Sequence, residues 1–481
     1  MNKKPNILFF FTDDQRFDTI HALGNDSIIT PNMDKLVKAG TAFTHAHIPG
    51  GSCPGVCMPS RAMLNTGKTL FNLDGLGYEI PEDHKMLGEC LRDAGYSTYG
   101  FGKWHNSMAS FNRSFSDGDE IMFGGGADHW NVPVFHYDPT GKYESKLPIL
   151  DRMPNSCTVD KNIRWRLADH VVAGKHSTDL IAESAIAYLE KHDCKQNPFY
   201  MYVSLLAPHD PRSMPQKYLD MYADVEIKLP DNYMASHPFD NGELFIRDEL
   251  LASFPRQPEE IITHIREYYA MITHADDQLG KIIAALKAKG EYENTIIIFA
   301  GDNGLALGQH GLMGKQNCYE HSVRVPLIMA GPGIAEDQRS DSLVYLFDIF
   351  PSLCELLELN VPESVDGSSF VNILKNKTHE SREFAYMAYA QLMRAVKNDK
   401  YKLIEYVLDS EHTMTQLFDL QSDPWELNNL ATDANFNTLI EMLRSQMKNF
   451  CELWNDRNTP LGKTFWSGFK KSQQAKLLRY F

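Results

Sequence analysis

Apolar positions along the chain gather into short unbroken runs, each ended abruptly by polar or charged residues. They are Ile7 to Phe11, closed by Thr12-Asp13-Asp14; Ser97 to Phe101, closed by Gly102-Lys103-Trp104-His105; Phe199 to Leu206, closed by Pro208-His209-Asp210; and Thr295 to Ala300, closed by Gly301-Asp302-Asn303-Gly304. Between them, helical patterns run over Asp34 to Ala39, Met86 to Asp93, Ser177 to Lys191 and Glu260 to Lys289. Continuous Ile, Val and Phe runs mark strands buried on both faces, and their alternation with helices predicts an α/β fold, a large mostly parallel sheet sandwiched by helices. Ligands bind such sheets outside the carboxyl ends of the strands. The four polar clusters are therefore expected to converge on one crevice.

The texture changes after about residue 375. Phe384 to Ala390, Met393 to Val396, Lys400 to Tyr406 and Thr415 to Asp419 are short strand-like segments linked by polar turns, and Ala431 to Trp454 reads as an amphipathic helix. The pattern predicts a catalytic α/β domain over residues 1–375 and a smaller α+β unit over 376–481, an antiparallel sheet covered by a helix.

Composition narrows the classes. The chain has 481 residues, 43% of them hydrophobic and 11% aromatic, as expected of a globular enzyme with a large core. A net charge of −16 argues against nucleic acid or an anionic membrane as partner, so an anionic substrate must meet a local cluster of cations. The eight cysteines, Cys53, Cys57, Cys90, Cys157, Cys194, Cys318, Cys354 and Cys451, are too scattered for a disulfide scaffold, although one buried pair stays open. No run is long enough to span a membrane. The start, Met1-Asn2-Lys3-Lys4-Pro5, has no signal-peptide core, which as written predicts a cytoplasmic protein; removal of a leader would make it periplasmic or secreted.

Asp13-Asp14 and Asp302-Asn303 present four oxygen-bearing side chains at two strand ends. Either pair alone could cap a turn, but together they suit a hard cation, Ca²⁺ or Mg²⁺, rather than Zn²⁺. Cys57 precedes a short helical pattern, Arg61 to Asn65, ended by Gly67. A cysteine before a helix start sits in a field that favours an anion or nucleophile, whereas most lone cysteines are small core residues. Cys53 and Cys57 lack a second pair for structural zinc. Lys103 and His105 are placed by alternation on one side of an extended strand end.

Cys57-Met58-Pro59-Ser60-Arg61, followed by Leu64, Thr66 and Gly67, resembles the signature of the type I sulfatases of the alkaline phosphatase superfamily. Supporting motifs occur in that family's order: Pro5-Asn6-Ile7 with Asp13-Asp14, Gly102-Lys103-Trp104-His105, Pro208-His209, Asp302-Asn303-Gly304, Gly314-Lys315, Tyr319-Glu320 and Arg324-Val325-Pro326. Leu417 to Leu420 and Asp423 to Leu430 look like the family's C-terminal strand and turn. The resemblance covers nearly the whole chain. It implies that a maturation enzyme oxidises Cys57 to formylglycine, that Asp13, Asp14, Asp302, Asn303 and the modified residue 57 bind Ca²⁺, and that Arg61, Lys103, His105, His209 and Lys315 line a sulfate site. On this reading one hydroxyl of hydrated formylglycine attacks sulfur, His209 helped by Lys315 protonates the leaving alcohol, and His105 deprotonates the second hydroxyl so that sulfate is expelled.

The resemblance leaves the sulfate carrier open; family frequency favours a sugar O-sulfate of a glycosaminoglycan or other polysaccharide. Candidate contacts to it are Arg113, Asp128, His129, Trp130, Asp210 and Arg212, for each of which ordinary loop packing is the alternative. Two rival readings are a phosphoesterase or phosphonate monoester hydrolase of the same superfamily and an inactive glycan-binding relative. The oligomeric state is not encoded in any motif.

Overall fold

Five consecutive large apolar residues leave a strand no face to offer water, and Ile7–Phe11 are at most 1% exposed at the centre of the strand Asn6–Thr12. The computed structural model describes residues 4–73, 75–151, 164–377 and 382–478. Asn6–Thr12 lies inside a 9-stranded sheet with Phe199–Ser204 on one side and Thr295–Gly301 on the other, both parallel to it. Ser97–Lys103 and then Asp117–Met122 extend the sheet in parallel beyond Phe199–Ser204. Arg324–Ala330 runs antiparallel between Thr295–Gly301 and Gly40–His47, and two short strands, Gln338–Ser340 and Val344–Tyr345, pair with the far edge of Gly40–His47. Each of the four predicted apolar runs forms a strand. They are neighbours, and their carboxyl ends are level, with Thr12 opposite Gly301, Phe11 opposite Ser204 and Gly102 opposite Ser204.

Helices cover both faces. The helix Ser177–Lys191 forms over the predicted residues, and Pro258–Ala288 starts two residues early on a proline, which suits a first helical turn because its missing N–H is not needed there. The second sheet is 5-stranded, in the order Glu411–Asp419, Tyr401–Leu408, Met393–Lys397, Ala385–Tyr389 and Gly50–Gly51. Its last strand comes from far up the chain and leads into Cys57. Gly50 has φ 98°, and a Cβ there would sit 2.0 Å from the Ala388 carbonyl oxygen, so only glycine permits this pairing. Glu320 also joins the sheets: buried, it accepts from Lys397 Nζ at 2.8 Å and Lys402 Nζ at 3.0 Å.

Several expectations change. The helix predicted over Ala431 to Trp454 is confined to Asn437–Leu453, because the Asn429 and Asp433 side chains accept from the Ala431 and Asn435 N–H groups and hold two short 3₁₀ turns instead. The pattern starting at Arg61 is a helix from Cys57 to Thr66, so Cys57 is its first residue and does not precede it. A further helix, Pro460–Leu478, buries Phe465, Trp466 and Phe469 against the second sheet. A small antiparallel pair, Leu147–Asp151 with Arg164–Ala168, also escaped the sequence pattern. Cys53, Cys57, Cys90, Cys318, Cys354 and Cys451 are free thiols; Cys157 lies outside the described residues.

Candidate active site

At the level strand ends, the chain turns sharply and aims its polar residues into one buried cluster. Asp13 follows the central strand and donates its N–H to the Ala207 carbonyl at 3.1 Å, while Asp302 donates to the Thr12 carbonyl at 3.0 Å. Asp14 adopts φ 63°, which lets its own N–H reach Asp302 Oδ1 at 3.0 Å. Asn303 Nδ2 donates to Asp14 Oδ1 at 2.7 Å. The four residues are 0–3% exposed.

Cations surround this acidic centre. Lys103 Nζ pairs with Asp13 and lies 3.6 Å from Cys57 Sγ; Lys315 Nζ pairs with Asp14 and lies 3.8 Å from the same sulfur. Arg61 donates through Nε to Asp302 Oδ2 at 2.8 Å and through Nη1 to the Lys103 carbonyl and Ser204 Oγ, at 2.8 and 2.6 Å. Its guanidinium lies over the Phe11 ring, 4.9 Å from the centroid. Arg61 therefore anchors Asp302 from the core side, and its Nη2 is buried without a hydrogen-bond partner among the described residues. Three acidic side chains, Asp13, Asp14 and Asp302, face three basic ones, Arg61, Lys103 and Lys315, so a bound divalent cation would leave net positive charge for an anion.

Cys57 is 2% exposed, and burial pushes its thiol up to about 12 although Lys103 and Lys315 pull the other way. The expected anionic character from the helix start is thus overridden by desolvation, and the encoded thiol is neutral at pH 7. Burial and then the neighbouring Asp13 raise Asp302 to about 7. Asp13 itself is held well below the usual carboxylate range: burial works against this, but Lys103, His209, Arg61 and Lys315 prevail.

The donor set fits a hard cation. Asp13 Oδ1 and Asn303 Oδ1 are buried without a hydrogen-bond partner among the described residues, and a ligand atom from each of Asp13, Cys57 and Asp302 falls within one 4.8 Å group. Oxygen ligands from Asp13, Asp14, Asp302 and Asn303 would hold it, with residue 57 at its edge.

Two histidines reach the cluster through glycines. A Cβ at Gly125 would lie 2.8 Å from His105 Nε2, and one at Gly126 would lie 3.2 Å from His209 Cε1. His105 is half-buried, and burial followed by Lys103 and Arg61 depresses its basicity well below the ordinary imidazole range, leaving it neutral. Its backbone has φ 64°, so a turn, and not the expected extended strand, brings it beside Lys103; Trp104 between them packs on Phe111, Phe115 and Tyr202. His209 Nδ1 is 2.7 Å from the Asp210 carbonyl oxygen, which turns Nε2 toward Asp14 Oδ2, 3.7 Å away.

The six candidate substrate contacts divide. Arg113 is committed elsewhere: its guanidinium donates to the Ile80, Pro81 and His84 carbonyls at 2.7, 3.0 and 3.1 Å and to Glu89, which fastens the loop 80–84 to its helix. Asp128 caps a turn by accepting from the Trp130 N–H at 3.0 Å and Asn131 Nδ2 at 2.7 Å. His129 is buried, bridging Ser177 Oγ at 2.7 Å and the His209 carbonyl at 2.9 Å, and so supports His209 from behind. Trp130 packs edge-on against His176. Asp210 pairs with Arg247, and Arg212 donates to His264 Nδ1 at 2.8 Å. Sequence reasoning missed Ser204, Arg247, Asp248 and Gln316. Gln316 Nε2 donates to Asp248 Oδ2 at 2.6 Å and the Pro54 carbonyl at 2.8 Å, tying the Lys315 loop to the segment before Cys57. Only the adjacency of Gln316 to Lys315 signalled any of these.

The family model described as Sulfatase matches residues 5–359, and one described as N-sulphoglucosamine sulphohydrolase, C-terminal, matches residues 308–452. An ulvan-active sulfatase of Formosa agariphila is 30% identical over 469 residues, covering 94% of this chain and 82% of that protein. An N-acetylglucosamine-6-O-sulfatase of Bacteroides thetaiotaomicron is 24% identical over 524 residues, covering 93% and 87%. A solved structure in complex with its substrate D-glucosamine-2-N,6-O-disulfate has a TM-score of 0.73 at 23% identity, covering 95% of this chain and 99% of that one; the likeness is one of fold.

Proposed function

The chain belongs to the sulfatase family of the alkaline phosphatase superfamily and is a sulfuric ester hydrolase, and from that premise we propose that it removes O-sulfate from a sulfated sugar, using a formylglycine made from Cys57 and a bound Ca²⁺. The observation that carries the reading is the position of Cys57 Sγ, 3.6 Å from Lys103 Nζ and 3.8 Å from Lys315 Nζ at the rim of the acidic cluster. A neutral buried thiol makes a poor nucleophile, which supports conversion of this side chain before it can work. The sugar class is supported by relatives whose names specify ulvan, N-acetylglucosamine 6-sulfate and a glucosamine disulfate.

The cation, when bound, polarises the nucleophilic hydroxyl and offsets sulfate charge. Lys103 and Lys315 neutralise the sulfate oxygens as charge builds on the leaving oxygen. His209, its Nδ1 turned to the Asp210 carbonyl, is suited to give a proton from Nε2 to the departing alcohol. His105, held neutral, is suited to take the proton from the remaining hydroxyl of residue 57, so that sulfate leaves and the aldehyde re-forms. We read residues 1–375 as the catalytic unit and 376–481 as its support.

Mass spectrometry of the peptide containing Cys57, from protein made together with a formylglycine-generating enzyme, tests the modification. Turnover of aryl sulfate against aryl phosphate, then of defined sulfated mono- and disaccharides, tests the reaction. A strong preference for phosphate would favour the phosphoesterase reading, and aldehyde-bearing protein that turns over no sulfate ester would favour binding alone.

A further inference from the structure

We propose that Glu249, acting with Gln316, is a positioning residue that fixes the backbone from which Lys315 reaches the sulfate site. This rests on the sulfatase reading and concerns how one of that site's cations is aimed. Lys315 lies in residues 302–319, between the strand Thr295–Gly301 and the short helix Glu320–Val323, outside every helix and strand. No helical or sheet ladder holds its backbone. Yet its Nζ pairs with Asp14 and stops 3.8 Å from Cys57 Sγ.

Side chains supply what secondary structure does not. The N–H groups of three consecutive residues each donate to a side-chain oxygen: Met313 to Glu249 Oε2 at 2.9 Å, Gly314 to Glu249 Oε1 at 2.9 Å, and Lys315 to Gln316 Oε1 at 2.8 Å. One carboxylate thus grips two successive peptides immediately before Lys315. A Cβ at Gly314 would lie 2.9 Å from Glu249 Oε1, so glycine is what allows the carboxylate this close.

Glu249 is itself held rigidly. It is 3% exposed, and the buried Arg256 donates from Nη2 to Oε2 at 2.5 Å, from Nη1 to the Glu249 carbonyl at 2.8 Å, and from Nε to the Gly311 carbonyl at 3.0 Å. The preceding residue, Asp248, accepts from Gln316 Nε2 and from Arg247 Nη1, and Arg247 also pairs with Asp210 beside His209. Three successive residues, Arg247, Asp248 and Glu249, therefore fasten both the Lys315 and the His209 sides of the crevice. Glu249 bonds to no ligand of the cation cluster among the described residues, so its influence on sulfate chemistry runs through Lys315. A displacement of only about 1 Å at a positioned group can cost on the order of 10²-fold in rate.

The test is a double-mutant cycle on full-length, Ca²⁺-loaded, aldehyde-bearing protein with an aryl sulfate. Glu249→Gln keeps the shape but turns an amide NH₂ toward a backbone N–H or Arg256. Its kcat should fall by about 10–100-fold with KM within about twofold, and the same substitution in a Lys315→Ala background should cost less than about twofold more. A brace that merely holds the fold would cost the same in both backgrounds. Should Glu249→Gln lose the wild-type circular dichroism, Gln316→Ala, which frees the Lys315 N–H, replaces it in the cycle with the same expectation. Equal losses in the two backgrounds, or no loss beside an intact Lys315, would overturn this proposal alone. Aldehyde-bearing wild type that turns over no sulfate ester would overturn the sulfatase reading and this inference with it.

Discussion

Arg61 and Asp302 form an ion pair, Nε to Oδ2 at 2.8 Å, in which neither side chain is exposed to solvent. Asp302 belongs to the cation cluster, and Arg61 reaches it from beneath, fixed in turn by Ser204 Oγ. The pair thus transmits the rigidity of the sheet to a ligand of the site. Replacing Arg61 with Met leaves a buried carboxylate without its counter-charge, which costs about 3–5 kcal/mol. Urea unfolding should show the midpoint falling accordingly, and a midpoint within error of wild type would refute the anchoring role.

Cys57 opens its helix with its side chain buried, and the two groups that approach its sulfur, Lys103 Nζ and Lys315 Nζ, are each already paired with an aspartate. Cys57→Ala should therefore keep the fold, with stability changed by about 1 kcal/mol or less, while sulfate ester turnover falls by at least ~10³-fold. Circular dichroism and aryl sulfate assays on protein from the same maturing host check both halves. Residual activity close to wild type would mean that another group attacks sulfur.

Much of this centre was legible because buried parallel strands leave a plain mark: Ile7–Phe11 and Thr295–Ala300 are unbroken apolar runs, and the polar residues at their carboxyl ends must gather at one edge. Asp13, Asp14, Asp302 and Asn303 could be placed without any coordinates. The second sheet's debt to Gly50–Gly51 could not, because two glycines carry no hydrophobic pattern and the pairing joins Gly50 to Ala388, far apart in sequence. Arg113 misled for a related reason. A charged residue near a glycine-rich loop reads as a ligand contact, whereas its hydrogen bonds to Ile80, Pro81 and His84 are visible only once the chain is folded.

The unpartnered Asp13 Oδ1 and Asn303 Oδ1 make the cluster incomplete without a cation. Chelation should abolish turnover, and readdition of Ca²⁺ should restore it. At a concentration 100 times its dissociation constant, Ca²⁺ would stabilise the native state by about 2.7 kcal/mol, or ~3 °C in the unfolding midpoint of a chain this long. Differential scanning calorimetry with and without Ca²⁺ measures this. Asp13→Asn should lose most of the shift, and retention of the full shift in that variant would place the cation elsewhere.

Asp456 holds the C-terminal helices to the second sheet. Its carboxylate accepts from Arg394 Nε and Nη2 at 2.7 and 2.8 Å, from Tyr386 Oη at 2.7 Å and from Trp466 Nε1 at 2.8 Å. Burial opposes ionisation, but the Arg394 charge and these hydrogen bonds win, and the group is held below its ordinary 3.8. A carboxylate lowered in the folded state adds stability that is complete above the unfolded value and is lost as pH falls through the folded one. The wild type should therefore weaken progressively below about pH 4, while Asp456→Asn, already destabilised by about 3–5 kcal/mol at pH 7, should show a flatter acid limb. Trp466 supplies the readout, since its indole N–H bonds to this carboxylate and its fluorescence will report release of the helix Pro460–Leu478. Parallel acid slopes for the two proteins would show that other carboxylates govern the transition.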